Sequence, residues 1–310
     1  MAMNPSIAAA AARRLPVCYA YAFDPDRFDR EGRTQGMATI LSDDGVWRYA
    51  RTPMFDFVYR MEDFDPHGRT PHSFGAMRRT VRNLKAPVLP IEALATTFEF
   101  YREASPSEAQ MTYYLAPEGW EAPDDPGIAW WGGRIFSYVP VQYNTKADSV
   151  TLDPIYRRLI DECMVVAETH SHDTMPAFMS RTDRENSDFP ALQIVFGHVN
   201  GPVPEFEAWL AHDSECICET LDRGEAAAFI EMPPNVPPPS TDDEDDGDGP
   251  DGIFARPVGD RGTERPVTAR FDADWLLRHS VFGKYRDEWM GRVAECDPWS
   301  GTPFDAPEGR

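Results

Sequence analysis

From His170 to Asp183 the chain reads H-S-H-D-T-M-P-A-F-M-S-R-T-D, and four of these residues have the types and spacing to do chemistry. His170 and His172 follow the apolar run Cys163–Thr169. Alternate side chains on a strand share a face, so both imidazoles point to one side and Ser171 to the other. Pro176 favours a loop that returns the chain, after which come Ser180 and Asp183. Two neutral imidazoles and one carboxylate leave a fourth tetrahedral position open, the donor set of a catalytic rather than a structural zinc site. Zinc held this way lowers the pKa of a bound water to about 7 and polarises a carbonyl. Each part also has a plainer role. Ser180-x-x-Asp183 is a good helix start, with Ser as the cap and an acid in the first turn. A lone His-x-His often only ends a surface strand. The capping and metal roles are compatible.

The elements that must position these residues can be read around them. Cys163–Thr169 fits a short buried strand ending at the histidines, and Ser180 opens a helix. Asp153 caps a helix with Pro154 at its first position, running to about Glu162. Ile91–Ala104 carries Leu94, Phe98 and Tyr101 at helical spacing and stops at Pro106. The run from Glu108 to Leu115 is rich in strand formers. Ala129–Trp131 and Arg134–Tyr143 are strands joined by a Gly132-Gly133 turn, and Leu192–Val199 is a further buried strand.

His170-x-His172-x7-Ser180-x2-Asp183 matches the signature of the JAMM metallopeptidases of the MPN-domain superfamily. The chain resembles that family's prokaryotic branch, which includes relatives of the PRTRC type. Val139-Pro-Val-Gln-Tyr-Asn144, then Leu152-Asp153-Pro154 and a helix, is similar to the family's strand, Asn-containing loop and helix ahead of the metal strand. The resemblance covers about residues 88–232. It implies an α/β (α+β) fold, an MPN/JAB-like central β-sheet flanked by helices. It implies Zn2+ on His170, His172 and Asp183, with Ser180 hydrogen-bonding the water or the developing oxyanion. It implies an upstream glutamate as general acid/base, best matched by Glu108 in Ser105-Pro106-Ser107-Glu108. The following Ala109-Gln110-Met111-Thr112 departs from the family's small, Gly-containing pattern. Glu118 and Glu121 are the rivals, in a Pro/Gly-rich stretch that reads as loop, whereas a base needs a rigid seat near the water. Glu168 shares the histidines' face by alternation and suits a supporting role. The substrate implied is the C-terminus of a ubiquitin-like or other protein, cut at a peptide or isopeptide bond. The alternative is a non-catalytic MPN-type binding module of a bacterial or phage-linked system.

Composition bounds the rest. The 310 residues exceed one average domain. Net charge is −22, and removing the seven acids of residues 241–252 still leaves −15, which argues against nucleic acid as a partner. No run of about 18 apolar residues exists, so no membrane span is expected. The N-terminal Ala run precedes Arg13 and Arg14, the wrong order for a secretory signal, and the cytoplasm is the expected compartment. Five cysteines, an odd number, imply no disulfide framework, and Cys216-Ile217-Cys218 lacks the C-x-x-C spacing of structural zinc sites. Residues 1–87 read as a β-rich region, with runs at Val17–Ala22, Met37–Leu41, Val46–Ala50 and Phe55–Tyr59, and no chemical motif. Residues 233–252 are Pro-rich, then acidic, and read as a disordered linker. Residues 253–310 form a polar tail with one amphipathic helix expected over Ala273–Val293, docked on the body or, as the lesser alternative, on a partner.

Overall fold

A computed structural model describes residues 16–63, 73–143, 153–180, 183–184, 190–211, 218–237 and 267–294. The β-like runs of the N-terminal region form a five-stranded sheet: β1 (Val17–Tyr19), β2 (Gly36–Leu41), β3 (Gly45–Arg51), β4 (Phe55–Asp63) and β5 (Thr80–Asn83), in that order. Helix α1 (Asp26–Arg30) lies in the connection from β1 to β2. Alternation sorts the side chains. Ala50, Phe55, Phe57 and Tyr59 join the main core, while Ile40, Trp47, Tyr49 and Val58 form a smaller cluster. The N-terminal sheet is therefore built into the body, with Phe55 edge-on to Phe229.

The larger sheet carries the motif. Its strands are β6 (Gln110–Leu115), β7 (Ile128–Gly132), β8 (Ile135–Tyr138), β10 (Met164–Ser171), β11 (Leu192–Gly197), β12 (Glu205–Ala211) and β13 (Cys218–Thr220). They run in the order β13-β12-β11-β10-β6-β8-β7, with β14 (Ala269–Arg270) on β12. Gly132 and Gly133, both at positive φ, turn β7 into β8. All neighbours are antiparallel except β10 and β11. A parallel pair cannot be joined by a hairpin, so the chain must leave the end of β10 and cross back before β11 begins. That crossover holds Ser180 and Asp183.

Helices cover both faces of this sheet. Helix α2 (Ile91–Ala104) has the bounds its spacing predicts. Its Phe98 and Tyr101 pack on Phe196, and Tyr101 Oη lies 2.6 Å from Thr169 Oγ1. Helix α3 (Pro154–Glu162) is capped by Asp153, which accepts from the amides of Ile155 and Tyr156. It lies on the other face, where Leu159 packs with Tyr114, Phe136, Tyr138 and Val165. The short helix α4 (Arg223–Ala226) follows β13, and Glu231 beyond it accepts from the first amide of α2. The fold is a mixed α/β one, with two mixed sheets and six α-helices among the described residues.

The C-terminal stretch departs from the single helix expected over Ala273–Val293. It forms α5 (Ala273–Leu277), a 3-10 turn at Phe282–Lys284, α6 (Arg286–Met290) and β15 (Val293–Ala294), which pairs with β9 (Gln142–Tyr143). Ser280 interrupts the helix by accepting from the Phe282 amide, and Thr96 of α2 accepts from the Val281 amide. The buried anchors Leu276, Phe282 and Trp289 stand six and seven residues apart, and on one continuous helix the six-residue step, about 240°, would turn Leu276 off the face shared by the other two. They dock on α2, with Trp289 edge-on to Phe100 at 5.6 Å. Of the Pro-rich segment, Asn235 bridges to Phe271, and residues 238–252 lie outside the described residues. Truncating the fully buried Trp289 to Ala leaves a cavity in this docking surface. The expected loss is about 3–5 kcal/mol of unfolding free energy in urea, with no change expected if the tail were independent of the body.

Candidate metal centre

His170 and His172 emerge at the C-terminal end of β10 on the face opposite α2, because the preceding residue of opposite orientation, Thr169, turns toward Tyr101. Beyond His172 the chain turns sharply. The Met175 amide donates to His172 O, and Asp173 adopts a left-handed φ of 49°. The Ala177 amide donates to the buried carboxylate of Glu205 on β12. This return path presses on Gly197, where a Cβ would stand 2.0 Å from Ala177 N and 2.4 Å from Pro176 C. Only glycine allows so close an approach. Phe178 then packs edge-on against the His172 ring at 4.6 Å.

Ser180 and Asp183 close the loop as a reciprocal pair. The Ser180 amide donates to Asp183 Oδ2 at 2.7 Å, and the Asp183 amide donates to Ser180 Oγ at 3.1 Å. The helix-start reading of Ser-x-x-Asp is realised, and it aims the Asp183 carboxylate at the histidines. His170 Nε2 and His172 Nε2 lie 3.2 Å apart. They stand 3.5 and 3.7 Å from the Asp183 oxygens. A tetrahedral ion with bonds of about 2.0–2.1 Å keeps its ligand atoms about 3.3 Å apart, so the residues fit a divalent cation of that size. His172 is buried, and its Nδ1 has no hydrogen-bond partner among the described residues, so its polar contacts run through the Nε2 that faces the cluster. The three residues are the one such group of His, Cys, Asp and Glu among the described residues. The donor set and spacing suit zinc and the other divalent ions that take nitrogen and oxygen ligands.

The register places the acids. In the antiparallel pair of β6 and β10, Gln110 faces His170, and Glu108, two residues before β6, is near enough for its charge to act on His170. Glu108 sits exposed just before β6. Two contacts join its segment to β10: the Ala109 amide donates to Ser171 Oγ, and the Ser171 amide donates to Ala109 O. On the other side, the buried side chain of Gln142 bonds both the amide and the carbonyl of Gln110. Glu118 and Glu121 lie beyond the far end of β6, roughly 17 Å along the strand from Gln110. There Trp120 donates to Glu162, just before β10 begins. Glu168 is on the histidine face, where it accepts from Gln193 Nε2 at 2.6 Å and faces Tyr156 of α3. Asn144 lies outside the described residues.

Two contributors escaped the sequence reading. Gln142 is a lone amide in an apolar run, and its partner is 32 residues away. Asp173 follows the motif, and its carboxylate accepts from Ser105, 68 residues away. Neither distance leaves a local pattern. Cys18 and Cys163 are free thiols, and burial pushes Cys163 up to about 11, away from ligand chemistry. Cys216 and Cys296 lie outside the described residues.

The charges of the triad reinforce one another. Burial opposes ionisation of Asp183, but hydrogen bonding to His170 and His172 outweighs it and holds the carboxyl well below the usual range. Burial likewise opposes protonation of His170. The Asp183 contact and the negative charges of Asp183, Glu108 and Glu168 outweigh that, and its pKa is raised. In the metal-free protein the raised His170 stabilises below about pH 6.5 and loses that contribution as pH rises through its folded value. The lowered Asp183 stabilises above about pH 4 and loses it as pH falls through its folded value. Thermal scans of chelator-treated protein should therefore show a stability gain at pH 5.5 over pH 8 that His170→Ala abolishes. An equal gain in the variant would contradict the pairing. Gly197→Ala should destabilise the fold by about 1–3 kcal/mol or more in denaturant titrations, because backbone rather than a mobile side chain must give way.

No family model and no curated protein matches the chain. Among solved structures, the chain is similar to the solution structure of protein DSY2949 from Desulfitobacterium hafniense, with 15% identity over 44% of this chain and 86% of that one. The TM-score is 0.28, a likeness too slight to carry an argument about fold or activity.

Proposed function

We propose that the chain is a zinc-dependent peptidase or isopeptidase of the JAMM type, acting at the C-terminus of a ubiquitin-like protein or conjugate in the cytoplasm. One observation carries the reading. Two imidazole nitrogens and a carboxylate converge at 3.2 to 3.7 Å, from residues spaced as the JAMM signature requires. Three protein donors with a fourth position open is the arrangement of catalytic zinc. We further infer that the larger sheet and its helices are the MPN-like domain the signature implies. No helix among the described residues is long and apolar enough to cross a membrane.

His170, His172 and Asp183 would hold the ion. When bound, it supplies Lewis acidity, lowering the pKa of water to about 7 and polarising the scissile carbonyl. The chain's own residues do the remainder. Glu108, whose charge reaches His170, takes the proton lost by the attacking water and passes it to the leaving amine. The Ser180 hydroxyl accepts from the Asp183 amide and can donate its own hydrogen to the developing oxyanion, a contact worth about 3–4 kcal/mol when lost. Glu168 steadies the histidine face through Gln193 and Tyr156.

Metal analysis of the purified wild type should find one zinc per chain, and His170→Ala should find almost none. Against ubiquitin-like proteins extended at the C-terminus, Glu108→Gln should retain zinc and lose at least about a hundredfold in kcat. A wild type without zinc would sink the proposal. Full zinc with no cleavage of any such fusion would move the reading to a non-catalytic MPN-type binding module.

A further inference from the structure

We propose that Ser171 and Asp173, the two neighbours of His172, are positioning residues that clamp the Glu108 segment against the metal strand; this rests on the reading of Glu108 as the base. Residues 105–109 connect α2 to β6, and the Ser105 and Ser107 amides fold the segment back onto the end of α2 through Tyr101 O and Ala104 O. Two contacts, one from the end of β10 and one from the turn after it, hold the segment on either side of Glu108. The Ser105 hydroxyl donates to Asp173 Oδ1 at 2.5 Å, and the Ala109 amide donates to Ser171 Oγ at 3.1 Å. Ser171 is fully buried, and its own amide returns the bond to Ala109 O at 3.0 Å. Asp173 is set for its part by the left-handed backbone at φ 49°, a conformation Asp tolerates better than most residues, and by its carbonyl accepting from the Val199 amide at 3.0 Å. The same turn that ends the His strand thus presents a carboxylate to Ser105. The residue between the histidines, turned off their face, reaches the backbone beside Glu108. Position of the base and position of the ligands are coupled through three consecutive residues, 171 to 173.

The coupling has a catalytic consequence. A base misplaced by about 1 Å can cost a hundredfold in rate while substrate binding and metal loading are untouched. Ser171→Ala and Asp173→Ala should each retain zinc and KM and lose tenfold or more in kcat. Ser171→Thr, which keeps the hydroxyl, should restore most of it. In the Glu108→Gln background the same substitutions should cost little more, because the group they position is gone. Losses that multiply instead would mean the clamp does not act through Glu108.

Hydrogen exchange on the full-length chain decides the physical claim without any substrate. In Ser171→Ala and Asp173→Ala, peptides covering residues 105–110 should exchange at least tenfold faster than in wild type, with β11 unchanged. Ser171→Thr should return to the wild-type rate. Unchanged exchange at 105–110 in both alanine variants overturns the proposal. If the wild type neither holds zinc nor cleaves a fusion, the proposed function falls on that result, while the exchange rates at 105–110 still decide whether the clamp exists.

Discussion

Everything at the candidate site depends on the two unlike neighbours of β10. On one side β6 pairs antiparallel, which sets Gln110 opposite His170 and brings the charge of Glu108 close to that imidazole. On the other side β11 pairs parallel, which obliges the chain to cross over at the end of β10. The crossover carries Ser180 and Asp183, so one strand's pairing brings Glu108 from one direction and the Asp183 carboxylate from the other. A strand with two antiparallel neighbours could be left by a hairpin, and Asp183 would have no reason to return to the histidines.

The cost of this arrangement is crowding at the strand end. The return loop lies on Gly197 and hangs from Glu205, a buried acid that is tolerable because it accepts from the Ala177 amide and faces Arg270 at 3.6 Å. Opposite, Tyr101 of α2 bonds Thr169, so the back face of the strand is fixed to the helix that also receives the C-terminal anchors Phe282 and Trp289. Stability of the tail docking and rigidity of the histidine strand are therefore connected through α2.

What could be read from the sequence was what is locally encoded. The period of Leu94, Phe98 and Tyr101 with Pro106 bounded α2, and Asp153-Pro154 announced α3. Alternation found the N-terminal strands, and the histidine spacing picked out the two imidazoles that lie close to Asp183. Long-range pairing was not legible. β12 reads Glu-Phe-Glu-Ala-Trp-Leu-Ala, and its two acids disguise a fully buried strand, the partners of Glu205 being Ala177 and Arg270 far away in sequence. Gln142 and Asp173 matter only through residues 32 and 68 positions distant. The tail was legible as apolar and docking but not as broken, since the break is made by Ser280 and by Thr96 of another helix. Among the competing acids, the difference lies in strand register: Glu108 precedes β6 and Glu118 follows its end.

X-ray absorption at the zinc edge on the purified wild type tests most directly whether His170, His172 and Asp183 together hold one zinc ion. The expected first shell is nitrogen and oxygen only, at about 2.0–2.1 Å, with the outer scattering of two imidazoles. A sulfur shell near 2.3 Å, or a six-coordinate oxygen shell without imidazole, would contradict that assignment.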